Sequence, residues 1–155
     1  MRLESTLNVM LKDGAPLPRH AKPGDAGLDL ISTETVQIAP FETVTVGTGV
    51  AAEIPEGFYG DVRPRSSIAT KRGITLANAP GTIDSSYRGE IMLPLHNITS
   101  KMQRVERGER VAQMILQQYV TCTCVEVDEL GETERGAGGF GSTGTFVDEN
   151  GEVLG

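Results

Sequence analysis

The sequence predicts an all-β protein: a jelly-roll-like β-barrel with one short helix and a mobile glycine-rich C-terminal strap. Three observations predict it. Apolar residues recur at every second position in short runs, the period of a half-buried strand. Turn signals built from Pro, Gly, Asp and Ser separate these runs at short intervals. Residues 65–73 alone have the composition and capping of a helix. A chain of 155 residues fits one domain with a real core. That domain is expected to fill residues 1–130, with 131–155 as an arm.

The elements follow in order. Leu3, Leu7, Val9 and Leu11 mark a first strand, which a loop rich in Pro16, Pro18, Pro23 and Gly24 ends. Leu28 and Leu30 alternate with Asp29, and Val36 and Ile38 start another short strand before Pro40. Val44, Val46 and Val50 alternate with Thr45, Gly47 and Gly49. Pro55, Glu56 and Gly57 make a turn, and residues 58–63 form a strand that stops at Pro64.

For residues 65–73, Ser66 or Ser67 supplies an N-cap, Lys71 and Arg72 fill the last turn, and Gly73 closes it. Residues 74–95 read as a hairpin, with Ser85 and Ser86 as turn formers and Gly89 freeing the backbone at the reversal. Asp84, Tyr87 and Arg88 sit at its mouth. Residues 97–108 form a polar connection, and 111–127 are β-rich. Five of the ten residues from 135 to 144 are Gly, a composition of high chain entropy and few apolar anchors. Edges of such a sheet need covering, and oligomerisation is one way.

Composition excludes several classes. The formal charge of −7 argues against a nucleic-acid binder, whose footprint is basic. No run of 18 apolar residues suits a membrane helix, and the first residues lack the apolar core of a secretory signal. Cys122 and Cys124 lie two apart on one face of a strand-like run. They read as two small buried hydrophobes in a reducing compartment, neither bridged nor a metal site. An anionic substrate would have to meet local arginines and a divalent cation.

Several stretches carry the residue types of phosphate chemistry. Pro64-Arg65-Ser66-Ser67 opens the helix with a cation and two hydroxyls, which suits an anion. Gln113 is a polar residue between apolar Val111 and Ile115 and needs a partner. Asp29 suits a hydrated magnesium, which takes few carboxylates. Gly136-Ala137-Gly138-Gly139-Phe140-Gly141 has the form G-x-G-x-x-G. No strand leads into it and no long helix can follow, so it is not a dinucleotide fingerprint. It reads instead as a flexible strap with Arg135, Phe140, Ser142 and Thr143 as an anion and base grip.

The order of these stretches resembles the five motifs of the trimeric dUTPase family, the deoxyuridine 5′-triphosphate nucleotidohydrolases. Ala-Gly-Leu-Asp-Leu, Pro-Arg-Ser-Ser, Gly-Thr-Ile-Asp-Ser-Ser-Tyr-Arg-Gly-Glu, Gly-Glu-Arg-Val-Ala-Gln and Arg-Gly-x-Gly-Gly-Phe-Gly-Ser-Thr-Gly stand here in the family's order, over residues 25–144. Ala137 departs from a position often acidic in the family. The strap and the Ile-Asp-Ser-Ser-Tyr segment argue against the related dCTP deaminases. A dUTP-binding regulator without turnover would not need a base at Asp84.

The resemblance implies hydrolysis of dUTP to dUMP and pyrophosphate with Mg²⁺. This keeps uracil out of DNA and supplies dUMP for dTMP synthesis. It implies a homotrimer with active sites shared between subunits, no nucleic-acid or membrane partner, and work in the cytoplasm, the host's if the source is viral. By position, Asp84 activates the water that attacks the α-phosphorus. Tyr87 packs under the deoxyribose. Asn78, with Gly81, Thr82, Ile83 and Met92 around it, receives the uracil. Arg65, Ser66, Ser67 and Gln113 hold the phosphates, and Asp29 holds Mg²⁺ through water. From the strap, Phe140 stacks on uracil beside Gly141, while Arg135, Ser142 and Thr143 grip the γ-phosphate.

Overall fold

The structure is a computed structural model. It describes residues 6–12, 14–139 and 146–154, with only the backbone of the last two. The chain divides into two units, residues 1–121 and 122–155.

Among the described residues the first unit is built from two four-stranded antiparallel sheets, a two-stranded ribbon and one helix. One sheet has the order β1 (Asn8–Leu11), β4 (Thr43–Glu53), β8 (Glu90–Asn97), β6 (Ile74–Leu76). The other has the order β2 (Leu28–Ile31), β10 (Arg110–Gln118), β5 (Phe58–Pro64), β7 (Gly81–Ile83). The ribbon pairs β3 (Val36–Ile38) with β9 (Gln103–Val105). These sheets are not joined into one closed hydrogen-bonded ladder. They share one core, to which Val46, Val50, Ile91, Leu93 and Leu95 come from the first sheet and Leu30, Val62, Ala112 and Met114 from the second. Alternation explains β8, where Ile91, Leu93 and Leu95 are buried and Met92 is exposed. It does not explain β4, which is buried continuously from Val46 to Ala52. Its outer face is covered by Ala15, Thr33 and Glu90, and Gly47 and Gly49 sit where a Cβ would strike these neighbours.

Helix α1 (Ser66–Arg72) ends as the sequence requires. Gly73 takes φ 64 and ψ 35, a left-handed turn that closes the helix on the Ala69 carbonyl. Its start differs from expectation. Arg65 is the N-cap residue, and neither serine makes a capping bond. The helix is fixed instead by Ile68, buried in the core, and by the Arg65 N–H on the Val111 carbonyl.

Of the expected hairpin over residues 74–95 only the base forms, where Ile74–Leu76 pair antiparallel with Leu95–Asn97; its tip does not pair. β7 pairs with β5 in one sheet, and β8 pairs with β4 and β6 in the other. Residues 84–89 are therefore a corner that carries the chain between sheets. Sequence alternation reveals which face is buried but not which strand is the partner. Gly89 is not in a left-handed conformation, so the backbone freedom assigned to it is not used.

β10 ends at Gln118, and residues 119–130 form no strand. The apolar side chains there, Val120, Val125, Val127 and Leu130, are exposed. Cys122 and Cys124 are free and exposed, which overturns their reading as buried hydrophobes. Among its described residues the second unit contains one hairpin, β11 (Phe146–Val147) with β12 (Val153–Leu154). Asp148 closes its turn by accepting the Asn150 and Glu152 amides at 2.9 Å each, which holds its carboxyl below the usual range. Among the described residues no helix is long and apolar enough to cross a membrane.

Candidate active site

Cross-strand register brings the phosphate-type residues together. Gln113 on β10 lies opposite Asp29 on β2, so both side chains share a face. β5 delivers Arg65 just past its end, and α1 begins there with Ser66 and Ser67. A cleft of about 390 Å³ is lined by Asp25, Gly27, Asp29, Arg65, Ser66, Ser67 and Gln113 among others. Ser66 and Ser67 are exposed, and their hydroxyls are not spent on capping. Gly27 is buried beneath Gln113, and a Cβ on it would stand 3.0 Å from Gln113 Cβ. A side chain at 27 would push Gln113 out of its place in the cleft.

Asp29 is the charged centre of the cleft. Its Oδ1 lies 3.1 Å from Arg65 Nε and its Oδ2 accepts from Arg110 at 2.8 Å. The carboxylate side chain is only 14% exposed. Strict alternation in the sequence hides Arg110, because it puts this side chain on the face opposite Gln113. A register shift between Arg110 and Ala112 turns it onto the Asp29 face. The Gly-Glu-Arg turn before a strand was the available signal. Next to the cleft, a hollow of about 530 Å³ is bordered by Arg65, Lys71, Arg72 and Arg110. The acidic chain thus presents a local concentration of cations where an anion would bind.

No group of three His, Cys, Asp or Glu side chains poised for a metal occurs among the described residues. Magnesium needs none, because it keeps several waters and takes substrate phosphates. An ionised carboxylate has about four acceptor positions. Asp29 uses one for each arginine, which leaves room for metal-bound water. The donor set fits a hydrated magnesium.

The second group of residues lies elsewhere. Asp84 is exposed at the corner, and no described residue hydrogen-bonds its carboxylate. Tyr87 sits one turn on; its N–H donates to the Asp84 carbonyl at 3.1 Å. Gly81, Thr82 and Ile83 form β7, Met92 is 46% exposed on β8, and Asn78 is exposed just before β7. Arg88 reaches Glu53 at 3.6 Å and the Ser85 carbonyl at 2.6 Å.

Asp84 and the Arg65 cleft are at opposite ends of β5. Ile83 lies opposite Gly60, while Gly81 lies opposite Val62, so the corner adjoins the start of β5. Arg65 follows its end. The separation along the strand is roughly 20 Å at the usual rise per residue. A single chain therefore does not bring Asp84 and the Arg65 cleft to one phosphate.

Arg135, in the second unit, donates from Nε to the Gly138 carbonyl at 2.9 Å and is exposed. Phe140, Gly141, Ser142 and Thr143 lie outside the described residues.

This all-β scaffold, with an acidic corner and an arginine-serine cleft on separate strand ends, defines a class that comparison with known proteins identifies. Residues 13–144 match the family model for dUTPase. A deoxyuridine 5′-triphosphate nucleotidohydrolase from Thermobifida fusca (strain YX) is 51% identical over 130 residues, 83% of this chain and 73% of the relative. One from Hydrogenobaculum sp. (strain Y04AAS1) is 49% identical over 135 residues, 86% of this chain and 94% of its own. The solved Staphylococcus bacteriophage 80alpha dUTPase with dUPNHPP has a TM-score of 0.85 and 30% identity, covering 92% of this chain and all of that one (100%). A dUTPase mutant from phage phi11 of S. aureus, whose structure concerns coordination of a structural Mg(II) ion, has a TM-score of 0.76 at 25% identity, covering 83% of this chain and 100% of its own. The chain belongs to the dUTPase family.

Proposed function

We propose that this chain hydrolyses dUTP to dUMP and pyrophosphate, in a homotrimer whose active sites are each assembled from several subunits. The observation that carries the reading is the separation of Asp84 from the Arg65 cleft along β5. A site that needs both must draw them from different copies. The exposed apolar residues Val120, Val125, Val127 and Leu130 support assembly, since such a run calls for a covering surface.

The division of labour follows from chemistry. Arg65, Ser66, Ser67 and Gln113 hold the triphosphate by charge-assisted and neutral hydrogen bonds. Asp29 would hold magnesium through water, and the ion supplies neutralisation of phosphate charge. Asp84, unencumbered by protein partners, orients a water and takes its proton as that oxygen attacks the α-phosphorus. The bond to the bridging oxygen breaks, and pyrophosphate leaves. Asn78 and the backbone of residues 81–83 read the uracil edge beside Met92, and Tyr87 lies beneath the deoxyribose. Residues 131–155 act as an arm on the domain. Its Arg135, Ser142 and Thr143 grip the γ-phosphate, and Phe140, next to Gly141, stacks on uracil. Closure excludes bulk water. Such an enzyme works in the cytoplasm, where it keeps uracil out of DNA and supplies dUMP for dTMP synthesis.

The test is pyrophosphate release across the four dNTPs, dUTP and UTP, with and without Mg²⁺. The reading expects release from dUTP alone, with magnesium. Ammonia from dCTP, or tight dUTP binding with no turnover, would contradict it.

A further inference from the structure

Gly89 is glycine for a reason other than its backbone. It has no left-handed φ, so any residue could adopt its conformation. What it provides is space. A Cβ on Gly89 would stand 2.5 Å from Tyr87 Cζ and 2.9 Å from Cε2, with the hydroxyl oxygen closer still. The Tyr87 ring folds back over residue 89, and its hydroxyl donates to the Glu90 carbonyl at 2.8 Å. Glu90 is itself anchored, because its Oε1 accepts the Gly49 amide at 2.8 Å. The ring is thus fastened on its inner side to a rigid strand end, while it stays 43% exposed on its outer side. An exposed tyrosine in a loop ordinarily samples several rotamers. Here the missing side chain two residues on selects one.

We propose that Gly89 is a specificity-determining positioning residue, whose bare Cα is the seat that fixes the Tyr87 ring against the nucleotide sugar. The inference rests on the reading of Tyr87 as the surface beneath the deoxyribose, where the ring leaves no room for a 2′-hydroxyl. Exclusion of a 2′-hydroxyl demands a ring held within about half an ångström. A Cβ at 89 forces a larger movement, since real Cβ contacts essentially never fall under 3.0 Å.

The experiment compares kcat/KM for dUTP and UTP in the wild type, Gly89→Ala, Tyr87→Ala and the double variant. Gly89→Ala is expected to lower the dUTP-to-UTP ratio about tenfold, chiefly through a gain in kcat/KM for UTP, within the range of one misplaced group. In the Tyr87→Ala background the same change should have no further effect, because the ring it displaces is gone. An unchanged ratio in Gly89→Ala, or an equal drop in both backgrounds, overturns the proposal. If Tyr87→Ala alone leaves the ratio at the wild-type value, the sugar reading has failed, and the proposal with it. If Tyr87→Ala lowers it and Gly89→Ala does not, only the seat has failed. Should Gly89→Ala not fold, the double variant decides. A folded double variant with the Tyr87→Ala ratio supports the seat, and an unfolded one shows the Cβ striking something other than the ring.

Discussion

Asp29 and Arg65 are bound to each other across the cleft, carboxylate Oδ1 to guanidinium Nε at 3.1 Å, with Arg110 on the second oxygen. The aspartate is mostly shielded from solvent, so it orients both cations as well as facing the cleft. Asp29→Asn should therefore act twice. It should lower the unfolding free energy by about 1–3 kcal/mol, because two guanidinium groups lose a charged partner. It should also raise the magnesium concentration needed for half-maximal activity. Thermal unfolding and a Mg²⁺ titration read the two effects, and wild-type values in both would remove Asp29 from the site.

Asp84 has a different signature. It is exposed and unpartnered, so Asp84→Asn should leave the fold and the affinity for a non-hydrolysable dUTP analogue nearly intact. Turnover should fall by about 10²–10⁴-fold, the usual contribution of a positioned general base. Calorimetric binding beside single-turnover kinetics separates the two, and wild-type turnover would reject the base assignment.

Much of this site was legible in the residues, and the exceptions have physical causes. Arg65, Ser66, Ser67, Asp29 and Gln113 converge as their motifs imply, because strand register is fixed by the buried faces of β2, β5 and β10. Arg110 escaped notice because one bulge reverses the side that alternation assigns to it. The supposed hairpin at 81–91 is a sheet-to-sheet corner, since period-two patterning is the same whichever strand lies alongside. The helix looked serine-capped, yet tertiary packing of Ile68 anchors it and spares both hydroxyls. Residues 119–127 have the composition of a strand, yet beyond the Tyr119 amide on the Gly57 carbonyl they join no strand among the described residues.

Removal of the arm tests another part of the scheme. Among the described residues the buried core lies within residues 1–121, so a chain ending before Arg135 should fold with a melting temperature close to that of the full chain. Its dUTP hydrolysis should be largely lost, because the phosphate and base grip goes with the arm. A truncated chain with full activity would make the arm dispensable.

The most direct measurement is subunit complementation. Asp84→Asn and Arg65→Gln homo-oligomers are each expected to be nearly inactive, since every site in them lacks one essential group. Co-refolded together, they should recover a substantial fraction of wild-type pyrophosphate release, because sites then form from the intact corner of one chain and the intact cleft of another. No recovery in verified mixed oligomers would mean that both groups of a site come from one chain, and would contradict the shared active site.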